Sequence, residues 1–264
     1  MADSDWNPEL YRRYEDERTR PACELLARVA LQNAARIYDL GCGPGNSTEL
    51  LVERFTGATV IGTDNSEAML ASARKRLPAC RFELSDIAQW QPAAESDPPD
   101  LIYANASLQW VADHETLLPR LFAALAPGGM LAIQMPDNRD EPTHRLMREV
   151  AALDPWASSI GNVAAVRTKI LSLNTYYDLL ARDAAEVDVW RTAYQHPMET
   201  PAAIVEWVRS TGLRPFIEPL SPAYREGFLA EYERRIALAY LPRADRRLLL
   251  AFPRLFIVAR RRVA

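Results

Sequence analysis

The chain has 264 residues, with 31 Lys and Arg against 35 Asp and Glu, for a formal net charge of −4. A basic excess of the kind a nucleic-acid binder carries is missing, and no stretch approaches the roughly 18 apolar residues of a membrane helix. Three widely spaced cysteines make neither a disulfide framework nor a zinc pattern; with acidic Asp3 and Asp5 where a signal peptide carries bases, they point to a reducing, cytoplasmic setting. The length suits one large α/β domain, or one domain with a substantial insertion.

The first residues, to about 20, are charged with spaced aromatics and suit a surface helix. Pro21 is placed to open a helix running to about Leu31. Ile37, Tyr38 and Leu40 then favour a strand packed on both faces. Asp39 precedes Gly41, Gly43 and Gly45, three glycines in five positions with Cys42 and Pro44 between them. Such a turn needs backbone freedom and close access to a ligand, and the carboxyl end of a parallel strand is where open α/β sheets bind one. Asn46 and Glu49 have capping-pair spacing, which places Asn46 at the N-cap of the next helix. Thr59–Thr63 reads as the second strand and closes on Asp64, with Asn65 beside it. Gly45 to Asp64 spans 19 positions (64 − 45), close to the roughly 20 that separate a glycine loop from a ribose-binding acid. A helix-capping aspartate is the plain alternative.

A helix is expected over 66–77, with Met69 either against a bound base or in the core. Arg81–Leu84 is the third strand, followed by Asp86 and Ile87. The fourth strand is 100–105, ending on Asn105, and Trp110 follows at its carboxyl end. Asp113 caps a helix to about Ala126, and Met130–Met135 is the fifth strand. This alternation implies a parallel, doubly wound sheet. Beyond Pro136 the pattern changes: helices are expected near 143–153, 160–171, 176–182, 201–211 and 222–240, with strands over 185–198 and 248–260. Pro253 in the last strand suggests a bulge or a sheet edge. The run Arg260-Arg261-Arg262 reads as a solvated tail.

The Asp39-x-Gly41-x-Gly43-x-Gly45 loop resembles the first motif of the class I S-adenosylmethionine-dependent methyltransferases. The resemblance implies a seven-stranded, mostly parallel sheet with an antiparallel last strand beside the sixth, and S-adenosyl-L-methionine as cofactor. It implies N-terminal cap helices over 1–35, a Rossmann-like domain over 36–136 and 176–264, and a helical lid from insertions at about 137–175 and 200–240. In the same terms Asp39, Gly41, Cys42, Gly43 and Gly45 hold the methionine part and Asp64 with Asn65 the ribose. Met69, Asp86 and Ile87 meet the adenine, while Asn105 and Trp110 face the same crevice.

Three further segments narrow the resemblance: Tyr14 to Pro21, Ala104 to Trp110, and Gln134 to Asn138. They are similar to a branch of that family that methylates a carboxylate oxygen of a small tricarboxylate. A carboxylate is already ionised at neutral pH, so no general base and no metal is required. Arginines suit such a substrate, because their forked donors match carboxylates; Arg18, Arg20 and Arg148 are the candidates, with His144 among them. His114 and His196 read as structural. The alternatives are a methyl acceptor on a malonyl carrier or another small acid, a cofactor-binding module without catalysis, and a nicotinamide-dependent reductase. The absence of a glycine at position 46 argues against the last.

Overall fold

Five short runs become five parallel strands. In the computed structural model, which describes residues 15–92, 97–162, 170–209 and 211–263 (without the side chains of 15–18), they are β1 (Arg36–Leu40), β2 (Thr59–Asp64), β3 (Arg81–Leu84), β4 (Leu101–Asn105) and β5 (Met130–Pro136). Two longer strands, β6 (Ala184–Met198) and β7 (Leu248–Arg261), complete a seven-stranded sheet of order β3-β2-β1-β4-β5-β7-β6. The pairs β1–β2, β1–β4, β2–β3 and β4–β5 are parallel, and β7 is antiparallel to β5. The order reverses between β1 and β4, and at such a point strand ends diverge and leave a crevice at their carboxyl side.

The helices are α1 (Glu15–Ala27), α2 (Asn46–Arg54), α3 (Glu67–Arg76), α4 (His114–Ala123), α5 (Pro142–Ala151), α6 (Ala157–Ile160), α7 (Leu173–Ala181), α8 (Pro201–Arg209), α9 (Arg214–Ile217) and α10 (Pro222–Ala239). The described chain falls into two compact units. The sheet unit holds residues 15–136, 170–191 and 254–263; the helical unit holds 137–162 and 192–253. β6 and β7 contribute residues to both.

In the sheet unit, Tyr38, Leu40, Ile61, Ile102, Ala104, Leu131 and Ile133 form one buried layer with Leu117, Leu118 and Leu121 of α4 and Tyr176 and Leu180 of α7. Each large apolar side chain buried this way contributes about 1.5–3 kcal/mol. α1 packs on β5, and its Ala22 carbonyl accepts the Tyr103 hydroxyl at 2.7 Å. In the helical unit α10 packs on α5 and α8. Its Phe228 meets Trp156 edge-on at 5.7 Å, and the Tyr232 hydroxyl donates to the Thr143 carbonyl at 3.1 Å.

Four local expectations change. α1 begins at Glu15, so Pro21 lies inside it rather than at its start; proline there forfeits one N–H bond, and its ring is buried. The helix expected over 160–171 falls mostly on 163–169, outside the described residues, and 161–162 and 170–172 are not helical. β7 lies between β5 and β6, so Pro253 marks no sheet edge. Arg260, Arg261 and Arg262 are not a free tail: they donate to the carbonyls of Ala30 (2.9 Å), Ala123 (2.8 Å) and Ala184 (3.0 Å). Ala123 is the last residue of α4, where unpaired carbonyls and the helix dipole attract a cation.

Candidate active site

The loop after β1 is shaped by what a side chain would strike. Gly41 has φ +74°, and a Cβ there would stand 2.3 Å from the Ser107 Cβ. The loop thus lies directly against the turn that follows β4, and Ser107 Oγ donates to the Leu40 carbonyl at 2.7 Å. The Gly41 and Cys42 amides both donate to the Thr63 carbonyl, at 2.7 and 2.9 Å. Gly43, at φ +54°, donates its amide to Asp64 Oδ2 at 3.0 Å, and a side chain on it would meet nothing within 4 Å. That open side is a surface on which a ligand can approach main chain closely. Asn46 does not cap α2. Gly45, in the left-handed region at φ 93°, is the N-cap, without any side-chain cap bond, because the loop needs its last glycine one position before the asparagine.

Asp39 is fully buried. Its Oδ2 accepts from Ser47 Oγ and Thr48 Oγ1, both at 2.7 Å, and its Oδ1 has no partner among the described residues. Burial pushes its carboxyl up from an ordinary 3.8 to about 6, the two hydroxyls opposing that and the Asp64 charge adding to it. Burial also raises the Cys42 thiol. Ser47 and Thr48 had no signal in the sequence, since each is an ordinary residue of a helix's first turn. Only the meeting of β1 and α2 gives them a task.

Asp64 closes β2 with its second oxygen accepting the Ser66 amide at 2.9 Å. The cap of α3 is Ser66, whose Oγ accepts the Met69 amide at 3.4 Å. Asp64 is therefore not that helix's cap, and each of its oxygens keeps a further lone pair for a hydroxyl. Asn65 is exposed and Met69 half-buried.

At the end of β3, Asp86 is exposed and its Oδ1 accepts the Ala88 amide at 2.9 Å. Ile87 is buried, its Cδ1 lying 3.3 Å from where a Gly41 Cβ would stand. Arg120 of α4 holds this turn, donating to the carbonyls of Ile87 (3.2 Å), Ala88 (2.8 Å) and Trp90. Its part was invisible in sequence, 33 positions from Ile87 (120 − 87). At the end of β4 stand Asn105, partly buried, and Trp110, 54% exposed. His114, the first residue of α4, is buried: its Nδ1 lies 2.6 Å from the Tyr176 hydroxyl and its Nε2 2.8 Å from the Leu108 carbonyl. Burial lowers its pKa.

All twelve residues expected at the cofactor therefore lie in the sheet unit, at the carboxyl ends of β1 to β4 or in the first turn of α3. The four expected at the substrate divide. Arg18 and Arg20 are on α1 of the sheet unit; Arg20 is exposed and pairs with Glu24 at 2.8 Å. His144 and Arg148 are on α5 of the helical unit. His144 is buried, with Nδ1 3.1 Å from Thr143 Oγ1. Arg148 donates to the carbonyls of Arg139 (2.8 Å) and His144 (3.0 Å).

A family described as "methyltransferase domain" matches residues 11–215. A protein of Variovorax paradoxus called trans-aconitate 2-methyltransferase is 70% identical over 98% of this chain and 99% of its own. One of the same name from Paracidovorax citrulli is 68% identical over 97% and 98%. Among solved structures, the YcgJ protein of Bacillus subtilis superposes with a TM-score of 0.60 at 14% identity, covering 93% of this chain and all of that one. Phosphoethanolamine N-methyltransferase 2 of Haemonchus contortus, solved with S-adenosyl-L-methionine, gives 0.54 at 17%, covering 92% and 52%. At these identities the two structures speak for the fold alone.

Proposed function

The chain belongs to the methyltransferase domain family, and from that premise we infer that it methylates a carboxylate oxygen of trans-aconitate, giving a monomethyl ester and S-adenosylhomocysteine. The observation that carries the cofactor is the Gly43–Asp64 bond, which fixes the loop, open at Gly43, beside an acid with spare acceptor capacity. The acceptor rests on the name shared by relatives 57–70% identical over nearly the whole chain. Family membership replaces the reductase and the non-catalytic module.

S-adenosyl-L-methionine supplies, when bound, a methyl group on a positively charged sulfur, which an incoming carboxylate oxygen takes as the carbon–sulfur bond breaks. The chain's residues have positioning to do and no proton to move. Asp64 is suited to accept the ribose hydroxyls, and Asp86 with the Ile87 amide to meet the adenine, the turn from Ile87 to Trp90 being held by Arg120. Two opposite charges disappear as the bond forms, so a dry site favours the reaction. Asp39, beneath the loop, is fully buried. For the substrate's carboxylates, Arg18 and Arg20 of the sheet unit offer forked donors.

Turnover tests the reading. Incubation with methyl-labelled cofactor and trans-aconitate should give a base-labile methyl ester. Labelling of a malonyl-carrier protein without labelling of trans-aconitate would replace the acceptor.

A further inference from the structure

Three amide side chains sit around the turn that ends β4, and four of their polar atoms are left over. Gln134 of β5 is completely buried, and neither its Oε1 nor its Nε2 has a partner among the described residues. Asn105 is its neighbour in register across β4 and β5, and Asn105 Oδ1 is likewise buried without a partner. Gln109, 3% exposed, spends its Nε2 on the Ala106 carbonyl at 2.6 Å and leaves its Oε1 unused. The main chain ties the three together: the Ala106 amide donates to the Gln134 carbonyl at 2.9 Å, and Ala106 takes the left-handed φ of 54° that turns the chain off the strand.

Paired residues of parallel neighbours face the same way. Gln134 and Asn105 therefore share a sheet face, and it is the face of Asp39, whose register partner Tyr103 is two residues before Asn105. The same face carries Phe256, paired with Gln134 from β7 and stacked on Trp190 at 4.7 Å. α1 covers it. The chain from Ala30, which receives Arg260 opposite Met130 at the amino end of β5, back to Ala22, which receives Tyr103, climbs towards the strands' carboxyl ends. The helix therefore leads its Arg18 and Arg20 towards the end where Asn105 and Gln134 lie.

A primary amide has two donors and two acceptor lone pairs. A strand gains nothing by burying one with all four idle, since an apolar side chain of the same shape is better there. We propose that Gln134 is a substrate-positioning residue, its Nε2 donating to a carboxylate of the tricarboxylate acceptor, beside its register neighbour Asn105 on the adjacent strand. The inference rests on the acceptor reading above. A neutral donor on a strand complements charged arginines: it fixes one carboxylate in place without adding a charge beside a cationic sulfur.

The test is a pair of variants, Gln134→Leu and Gln134→Glu, measured against wild type that turns over trans-aconitate. Gln134→Leu is expected to raise Tm, because it removes a buried idle amide, and to leave the S-adenosylhomocysteine dissociation constant within about twofold. Its KM for trans-aconitate should rise at least about tenfold, the loss of one hydrogen bond to a charged group. Gln134→Glu should raise KM further by setting like charges face to face, with recovery as pH falls. If Gln134→Leu does not fold, Gln134→Glu alone decides on its KM and its pH profile. An unchanged KM in a folded variant overturns the proposal, as does a lowered Tm with KM unmoved, which would mark a structural amide. Wild type without turnover would instead sink the acceptor reading, which separates the two failures.

Discussion

Asp64 and Gly43 are joined by a hydrogen bond of 3.0 Å across 21 residues of chain. The acid at the end of β2 thus holds the shape of the loop after β1. Removing it should cost twice, in ligand contacts and in loop order. Asp64→Ala is expected to weaken S-adenosylhomocysteine binding by about 2 kcal/mol or more, the scale of lost bonds to a charged group. Calorimetry decides. An unchanged dissociation constant would leave the acid only its local bonds to Gly43 and Ser66.

Gly41 is the position least able to change. Alanine there needs a left-handed backbone, which disfavours a Cβ by roughly 1–2 kcal/mol, and puts that Cβ 2.3 Å from the Ser107 Cβ. Gly41→Ala should push the β4 turn away from the loop and abolish measurable cofactor binding. Pairing it with Ser107→Gly should recover part of the binding, because the clash is removed while the backbone strain remains. Equal affinity in Gly41→Ala and wild type would mean that the two turns need not touch.

Asp39 predicts a pH dependence of stability. Its carboxyl sits at about 6 in the fold against an ordinary 3.8, so the native protein holds this proton more tightly than the unfolded chain does. The contribution is full below about pH 4 and is lost as pH rises through about 6, a span worth on the order of 3 kcal/mol. Asp39→Asn should flatten that part of the ligand-free stability curve, followed by urea unfolding across the window. A wild-type minus variant difference that stays constant with pH would contradict the assignment.

Arg120 donates to the carbonyls of Ile87, Ala88 and Trp90. Arg120→Met should free the turn that carries Asp86 and Ile87. The expected result is a cofactor dissociation constant raised about tenfold, with KM for trans-aconitate nearly unchanged at saturating cofactor. A change confined to Tm would make Arg120 a brace for the core alone.

Strands and loop were readable because their signals are local. Ile37, Tyr38 and Leu40 are buried as a doubly packed strand requires, and Asp39, Gly41, Gly43 and Gly45 mark their turn by type and spacing. Asp64 could be found by counting along the chain. What escaped is what depends on meeting another element. Ser47 and Thr48 acquire a role only under Asp39, and Arg120 only where α4 passes the turn after β3. Gln134 is one glutamine in an apolar strand until its register with Asn105 is known. At the start of α2 a capping pair, Asn46 with Glu49, competes with a glycine of positive φ for one position, and Gly45 takes it. The three C-terminal arginines looked like a tail because their carbonyl partners, such as Ala123, lie far away in sequence.

In the proposed function a sulfonium nucleoside is held by the loop at 41–45 and by acids ending two neighbouring strands. Isothermal titration of the purified chain with S-adenosylhomocysteine tests it most directly. One saturable site, lost or much weakened in Asp64→Ala, is the predicted result; no heat with either the methylated or the demethylated nucleoside would contradict it.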